Sequence, residues 1–228
     1  MMSEIGTLYI VATPIGHPRD ITLRALDVLS SVDILICENV RNASRLLKQC
    51  GLEEKPFAVL SEHNEKQDAN SLIEQLILGK NAALISDCGT PVFADPGWEL
   101  IRLATLAAIP VVSIPGPSSL ITALSLLDRP LHQFVFGGFL PREKSERIAA
   151  LNALKAHKLP IIVMDTPYRL EMLLMDVSKV FSPGQEILLA SDLTQSTEKI
   201  YRGKVVDILN ILEKKKAEFI LIIHLAGK

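Results

Sequence analysis

Residues Thr7–Ser30, TLYIVATPIGHPRDITLRALDVLS, carry the pattern that decides the fold. The apolar run Thr7–Ala12 predicts a buried strand, and a loop with two prolines follows it. In Thr22–Ser30 the leucines recur at helical spacing, which predicts an amphipathic helix. The stretch is therefore expected to fold as strand, loop and helix.

The same alternation continues along the first half of the chain. Further strands are predicted at Asp33–Cys37, Phe57–Leu60, Ala82–Ser86 and Val111–Ile114. Helices are predicted at Asn42–Cys50, Glu65–Leu78, Gly97–Ala107 and Leu120–Leu127. Strands that alternate with helices favour a mostly parallel sheet covered on both faces.

The second half has a different pattern. Strands are predicted at Gln133–Phe136, Leu159–Met164, Ile187–Ser191, Ile200–Gly203 and Glu218–His224. Helices are predicted at Lys144–His157, Tyr168–Val180 and Lys204–Lys215. The fold class is therefore α/β, and we expect two α/β domains with mostly parallel or mixed sheets, at residues 1–116 and 117–228.

Charge differs between these halves. Residues 1–116 contain nine basic and fourteen acidic side chains, a balance of −5, whereas residues 117–228 contain fifteen and twelve, a balance of +3. The whole chain of 228 residues has a net charge of −2, which forces no general attraction to nucleic acid or membranes. A basic second half permits a polyanionic substrate there.

Composition and cysteine use favour a globular cytoplasmic protein. The hydrophobic fraction of 48% excludes intrinsic disorder, which requires low hydrophobicity. Cys37, Cys50 and Cys88 form no CxxC pair, so we expect reduced thiols. The N-terminal sequence has no basic region typical of a signal peptide, and no apolar run reaches the roughly 18 residues of a membrane span.

Four loops that follow predicted strands are unusually rich in Pro, Gly and small polar residues: Thr13–Asp20, Ser86–Gly97, Ile114–Ser119 and Asp165–Arg169. In α/β sheets ligands bind at the carboxyl ends of strands, so we expect these loops to share one edge. Ordinary turn chemistry is the alternative for each loop taken alone.

Common cofactor motifs are absent. The chain has no GxGxxG, GxxxxGK[ST], HExxH or GxSxG, which argues against an NAD-type site, a P-loop, a metal centre and a hydrolase elbow. The remaining possibility is a site that holds its ligand mainly through backbone groups and short side chains.

At these loops the sequence resembles the tetrapyrrole methylase superfamily, and within it a branch that methylates the 2′-hydroxyl of a cytidine ribose in small-subunit ribosomal RNA. The segments that carry this resemblance are residues 8–29, 62–66 (EHNEK), 83–97 (ALISDCGTPVFADPG), 109–125 (IPVVSIPGPSSLITALS) and 136–144 (FGGFLPREK). Weaker similarity covers TPYRL at 166–170, DLTQSTEKIYRG at 192–203 and AEFILII at 217–223.

The resemblance implies S-adenosyl-L-methionine as methyl donor, held in a cleft between the two domains, and a homodimer without metal. It implies that donor-binding residues follow the strands of both domains. In this sequence they are Pro14, Gly89, Thr90, Pro91, Phe93, Ser118, Ser119, Asp165 and Leu193.

A ribose hydroxyl must also lose its proton, for which Glu38, His63 and Asp20 are candidates. The alternatives are a helix-start carboxylate for Glu38, a solvated loop histidine for His63 and a helix N-cap for Asp20. Arg41 and Arg45 lie one helical turn apart and are suited to hold phosphate, although a solvated pair is the alternative.

Other candidates have equally plain alternatives. Asp87 and Asp95 flank the Gly-Thr-Pro tripeptide, where they could cap backbone amides or face a cationic sulfonium. Trp98 could stack on a base, but packing at a helix start is favoured. The mixed-charge stretch Arg142–Arg147 is predicted to be a solvated helix start.

The sequence departs from the RNA-methylating branch at several positions, including Asn39, Val40, Tyr168 and Ser191. Many members of the branch also continue into a small helical region, whereas this sequence ends just after the last predicted strand. Two alternative functions therefore stay open: a methylase of a tetrapyrrole-like small molecule, and a donor-binding RNA or ribosome partner without catalysis.

Overall fold

The structure is a computed structural model that describes residues 5–61, 65–213 and 216–225, except for the side chain of Lys66. The chain divides into two compact units, Met1–Ser118 and Ser119–Lys228. Each unit has its own sheet and its own apolar core.

The first unit is built on a parallel sheet. Its strands are β1 (Leu8–Val11), β2 (Ile34–Cys37), β3 (Phe57–Val59), β4 (Ala82–Ile85) and β5 (Val111–Ile114). They lie in the order β3-β2-β4-β1-β5, and every pairing is parallel. Its helices are α1 (Leu23–Ser31), α2 (Val40–Gln49), α3 (Glu65–Ile77) and α4 (Trp98–Leu106).

Both faces of this sheet are buried, as the sequence predicts. One face packs Leu8 and Ile36 against Leu76 of α3 and Leu100 of α4. The opposite face packs its own strand residues against α1 and α2. Successive side chains of a strand point to opposite faces, so a strand buried on both sides must be apolar throughout.

Local capping sets where the first helices begin. Thr22 Oγ1 accepts from the amide of Ala25 at 3.2 Å, and Asn39 Oδ1 accepts from that of Arg41 at 3.0 Å. The prediction that Asp20 caps α1 is therefore wrong. Asp20 lies in the preceding 3₁₀ turn, and Thr22 stands at the spacing that reaches a first-turn amide.

The second unit contains a mixed sheet. Its strands are β6 (Val135–Phe139), β7 (Ile161–Asp165), β8 (Glu186–Ser191), β9 (Lys199–Lys204) and β10 (Phe219–Ile223). Their order is β6-β7-β10-β8-β9, with β6 and β7 parallel and the other pairs antiparallel. Its helices are α5 (Ser119–Ser125), α6 (Lys144–Ala156), α7 (Leu170–Val180) and α8 (Val205–Ile211).

Some boundaries differ from those predicted. Strand β6 continues past Phe136 to Phe139, because a register shift and the positive φ of Gly138 (59°) carry it through two glycines. Helix α7 begins at Leu170 rather than Tyr168, since Pro167–Arg169 form a 3₁₀ turn. Helix α8 ends at Ile211, four residues before the predicted end.

A buried ion pair connects α6 with α7. Arg147 Nε donates to Asp176 Oδ2 at 2.9 Å, and the two side chains are 1% and 2% exposed. The prediction of a solvated helix start over Arg142–Arg147 is therefore wrong at Arg147. The nearby residues Glu143 and Glu146 suggest that Arg147 forms an ion pair within its own helix, but its buried partner lies on α7.

No helix in the described part of the chain is both long and apolar enough to cross a membrane.

Candidate functional site

Three of the four predicted loops meet at one edge of the first sheet. β4, β1 and β5 are adjacent and parallel, so the segments that follow them lie side by side. The fourth loop, Asp165–Arg169, follows β7 of the second sheet. The expectation that all four share one edge is thus wrong, because the fourth belongs to the other unit.

Thr13 connects the first two of these loops. Its amide donates to Gly89 O at 2.8 Å, and its hydroxyl lies 3.0 Å from Ser86 O and 3.3 Å from Gly89 O. The side chain is 1% exposed. A buried hydroxyl with carbonyl partners fixes the two loops relative to each other.

The Gly-Thr-Pro tripeptide lies between the other two loops. Gly89 is buried with a φ of 84°, and a Cβ there would stand 3.1 Å from Ile15 Cγ2. Thr90 Oγ1 donates to Pro117 O at 3.0 Å. Pro91 is buried, whereas Phe93 is 60% exposed. The tripeptide is thus held against the loops that follow β1 and β5, while Phe93 faces outward.

The backbone after the tripeptide is strained. Val92 has a φ of 76°, in a region that β-branched residues rarely adopt. Gly97, with a φ of 135°, has no room for a side chain, since a Cβ would stand 2.6 Å from Leu84 Cδ2. Such strain persists only where the surroundings determine the conformation, and it is concentrated at functional sites.

Glu65 anchors the end of this segment. Its Oε1 accepts from the amides of Gly97 at 2.9 Å and Glu99 at 2.8 Å, and the side chain is buried. A carboxylate at the start of α3 therefore caps the start of α4 from 32 residues away in the sequence. Because Glu65 belongs to the EHNEK segment, that segment is connected to the end of the Gly-Thr-Pro loop.

The third loop comes close to the end of β1. A Cβ on Gly116 would stand 3.0 Å from that of Ala12, a contact tighter than most in proteins, so the two segments approach closely. Ser118 and Ser119 are both partly buried, and the boundary between the units falls between them.

A cavity of about 240 Å³ opens beside the first loop. Its lining comes from residues 13–16 and 18, from α2 and from residues 85–88 at the end of β4. Pro14 is partly buried and lines it, as does Arg45. Asn42 Nδ2 donates to Asp87 Oδ2 across the cavity wall at 2.6 Å.

Of the catalytic candidates, Glu38, Arg41 and Asp20 do not line this cavity. Glu38 follows β2 and is exposed, and Arg41 is exposed in the first turn of α2. Neither belongs to the lining, in contrast to Arg45. His63 lies outside the described residues. Asp20 is exposed in its 3₁₀ turn.

Burial changes the acidity of groups under this edge. Burial raises the pKa of Cys37 to about 11, and the negative charges of Asp87 and Glu38 add to the effect. Burial also raises the pKa of the Asp95 carboxyl; its hydrogen bond with Ser86 opposes this, and Asp87 reinforces it. Asp87 and Glu38 are thus close enough to influence the same groups.

The second unit has a loop edge of its own. Strands β6, β7 and β8 run in one direction, so residues 140–142, 166–169 and 192–195 follow them at one edge. They belong to three segments of the resemblance: FGGFLPREK, TPYRL and DLTQSTEKIYRG.

Asp165 and Arg169 organise this second edge. They form an ion pair at 3.0 Å, and Arg169 also donates to the carbonyls of Leu140 and Pro141. Asp165 is buried, and its Oδ2 makes no hydrogen bond with the described part of the protein. Burial raises the pKa of this carboxyl, although the amide of Thr166 and the cations of Arg169 and Arg147 oppose the increase.

Leu193 lies in a tight loop after β8. Its side chain is buried, and its neighbours Asp192 and Thr194 have positive φ angles of 48° and 62°. Thr197 Oγ1 donates to Asp192 Oδ2 at 2.7 Å, and the Thr194 amide donates to Glu198 at the same distance. Side chains of the loop therefore hold its own strained backbone.

Trp98, the first residue of α4, is 56% exposed, so the predicted packing at the helix start is wrong. Within the described residues no group of three or more His, Cys, Asp or Glu side chains could hold a metal ion.

Sequence reasoning missed Thr13 and Glu65. Both are polar residues whose importance comes from burial and from partners 32 or more positions away. A threonine after a strand and a glutamate at a helix start have ordinary local roles, so no local signal distinguishes them.

The fold and these loops define a class: a two-unit α/β protein with loops rich in proline and glycine after parallel strands. Residues 7–209 match the family described as Tetrapyrrole (Corrin/Porphyrin) Methylases. The chain belongs to this family and is a methyltransferase.

Relatives with curated names support this placement. A protein of Escherichia coli O157:H7 named Ribosomal RNA small subunit methyltransferase I is 40% identical over 96% of this chain and 78% of its own length. A protein of Vibrio cholerae with the same name is 38% identical over 95% and 76%. The solved uroporphyrin-III-C-methyltransferase from Thermus thermophilus has a TM-score of 0.63 at 20% identity, covering 96% of this chain and 94% of that one. That likeness concerns the fold alone.

Proposed function

We propose that this methyltransferase uses S-adenosylmethionine to methylate the 2′-hydroxyl of a cytidine ribose in small-subunit ribosomal RNA. The observation that carries the proposal is the hydrogen-bonded group of loops after β1, β4 and β5, formed by the segments that resemble the RNA-methylating branch. Relatives that are 36–40% identical and named for small-subunit ribosomal RNA support the same substrate. We place its action in the cytoplasm, where these subunits are.

The residues present fit such a donor. Gly89, with its positive φ, and Gly116, tightly packed on Ala12, have no side chains and let a ligand approach the backbone. The buried Asp165 Oδ2 accepts no hydrogen bond from the described residues and suits an amine or hydroxyl group of the nucleoside. On the first unit the proposed donor residues are Pro14, Gly89, Thr90, Pro91, Phe93 and Ser118. On the second unit they are Ser119, Asp165 and Leu193.

A bound sulfonium supplies an already activated methyl group, so the protein need not provide a metal or a covalent nucleophile. The residues must align the acceptor oxygen with the methyl carbon at roughly 3–3.5 Å and exclude water. Transfer forms the oxygen–carbon bond, breaks the carbon–sulfur bond and leaves a neutral thioether. The hydroxyl proton passes to the protein or to water.

Glu38 and His63 are the proposed acceptors of that proton. Glu38 is an exposed carboxylate at the carboxyl end of β2, the strand next to β4. Arg41 stands three residues later and is proposed to hold a phosphate of the RNA. We expect Glu38→Gln or His63→Gln to lower kcat about 100-fold, the usual effect of losing a general base, with donor binding unchanged. A general base is inactive when protonated, so the variant that loses the acidic limb of the pH–rate dependence identifies the base.

The decisive experiment combines two measurements on the full chain. Calorimetric titration with S-adenosylhomocysteine measures donor binding, and transfer of labelled methyl from the donor to small ribosomal subunits measures activity. We expect both, with the label mapped to one ribose. No binding overturns the donor assignment. Binding without transfer to RNA favours a non-catalytic partner, and transfer to a tetrapyrrole instead favours the small-molecule alternative.

We also propose that the protein is a homodimer, on the resemblance alone. Sedimentation equilibrium gives the mass directly, and a mass near 25.1 kDa would contradict the dimer.

A further inference from the structure

The cavity beside the first loop lies entirely within the first unit and is described completely. It is lined by Thr13–Gly16 and Pro18 of the first loop, by one face of α2 and by residues 85–88, which include Ser86 and Asp87. At about 240 Å³ it is smaller than the 300–1,000 Å³ of typical cofactor and drug sites. It is open to solvent and has room to receive one nucleotide unit, whereas a tetrapyrrole macrocycle is too large for it.

The polar groups of this cavity are of two kinds. Arg45 lines it, is exposed, and forms no ion pair or hydrogen bond with the described part of the chain. Asp87 also lines the cavity; its Oδ2 accepts from Asn42, and its Oδ1 has no hydrogen-bond partner among the described residues. The cavity thus presents a cation with all its donors available, and a carboxylate oxygen orientated by an amide.

These two groups are complementary to different parts of a nucleotide. A guanidinium pairs with a phosphate through parallel hydrogen bonds. A carboxylate accepts from the exocyclic amine of cytosine. Uracil has a carbonyl oxygen at that position. This oxygen and the carboxylate are both acceptors, so no hydrogen bond forms between them.

We propose that this cavity receives one nucleotide of the substrate RNA, with its exocyclic amine donating to Asp87 and its phosphate held by Arg45. The assignment rests on the proposed function, because it names the contacts through which that site selects its substrate. It makes Asp87 a determinant of base specificity and Arg45 a determinant of affinity. Neither takes part in moving the methyl group.

The test uses cytidine 5′-monophosphate and uridine 5′-monophosphate as probes of the full chain. Backbone amide signals of the isotopically labelled protein report where each nucleotide binds. At about 10 mM nucleotide even a ligand with a Kd of about 1 mM is largely bound. We expect the cytidine nucleotide to shift the amides of Thr13, Gly16 and Asn42, and the uridine nucleotide to bind about tenfold more weakly.

Substitutions assign the two contacts separately. Arg45→Gln is expected to weaken binding of the cytidine nucleotide about tenfold but to leave binding of unphosphorylated cytidine unchanged. Asp87→Asn is expected to reduce the preference for cytidine over uridine to within about twofold, since an amide can serve either base. Arg24→Gln and Asp27→Asn are matched controls, because both residues are exposed on α1, outside the cavity lining. Neither substitution should change the affinity for the cytidine nucleotide or the preference for cytidine over uridine.

Several results overturn the assignment. These are shifts elsewhere on the protein, no shifts at this concentration, or equal effects of Arg45→Gln on the phosphorylated and unphosphorylated ligands. The measurement does not depend on methyl transfer. If the protein methylates ribosomal RNA but the cavity does not select the cytidine nucleotide, the cavity assignment alone fails. If the cavity selects it but no RNA is methylated, the proposed function alone fails.

Discussion

The two units place loops at strand ends by different means. In the first, every strand is parallel, and the loops after β1, β4 and β5 are held together by hydrogen bonds to backbone carbonyls. In the second, two arginines hold the loop after β6 by donating to its carbonyls, and each arginine pairs with a buried aspartate. The first edge therefore depends on small residues and hydroxyls, and the second on buried charge.

The largest expected effect tests the charge of the second unit. Arg147→Met leaves Asp176 buried without its cation, and we expect the free energy of unfolding to fall by about 3–5 kcal/mol. Urea denaturation measures this. The double variant Arg147→Met/Asp176→Leu is expected to recover most of the loss, because a buried pair costs about as much desolvation as it returns. Equal destabilisation in both variants would assign the effect to the carbonyls of Pro141 and Arg142 instead.

The next effect tests the first unit. Glu65→Ala removes the acceptor of two amides at the start of α4, and we expect a loss of about 2 kcal/mol. Glu65→Gln keeps one side-chain oxygen as an acceptor, so it should lower the free energy of unfolding by less. The matched control is Glu143→Ala in the second unit, an exposed cap at its own helix, expected to cost about 0.5–1 kcal/mol. A Glu65→Ala effect no larger than that of Glu143→Ala would contradict the anchoring role.

Two aspartates with raised pKa values, one in each unit, allow a direct comparison of the units. In each unit the buried carboxyl has a higher pKa in the folded than in the unfolded state, so above the folded-state pKa its ionisation lowers the free energy of unfolding. This cost disappears as the pH falls from the folded-state pKa towards the unfolded-state pKa of 3.8. Asp95→Asn removes this cost, so the variant should be more stable than the wild type at pH 7 and should have no advantage near pH 4.

Asp165→Asn should act in the opposite direction. The substitution removes the same cost but leaves Arg169 without its carboxylate, and we expect a net loss of about 1–2 kcal/mol at pH 7. Urea denaturation of wild type and both variants at the two pH values measures the difference. Stabilisation by Asp165→Asn would mean that the arginine is satisfied by the loop carbonyls alone.

The smallest expected effect concerns how readily the cysteines react. All three cysteines lie in the first unit, so their reactivity reports on the accessibility of its loop edge. Cys88 is exposed and should react first with a thiol reagent at pH 8. Cys37 is buried, and an increase of its pKa from 9.0 to about 11 lowers its thiolate fraction about 100-fold. Cys88→Ser should remove the fast phase. Rapid labelling of Cys37 in the native protein would show that the loops above it open.

Much of the fold could be predicted because its signals are local. The apolar runs that became β1 and β4 and the leucine spacing of α1 depend only on neighbouring residues. Capping was less predictable: Asp20 and Thr22 are both good caps, and the turn geometry between them selected Thr22. The candidate site was predicted as a set of loops, since proline and glycine mark irregular backbone at strand ends.

The sequence alone determined the alternation of strands and helices, the family and the segments that form the loops, because each is encoded in adjacent residues. Tertiary structure determined which loops share an edge, since strand order is set by packing between distant segments. It also determined that Arg147 and Glu65 are buried anchors, and that Arg45 and Asp87 face one cavity. Their partners come from elements far apart in the chain, and no local pattern specifies such distances.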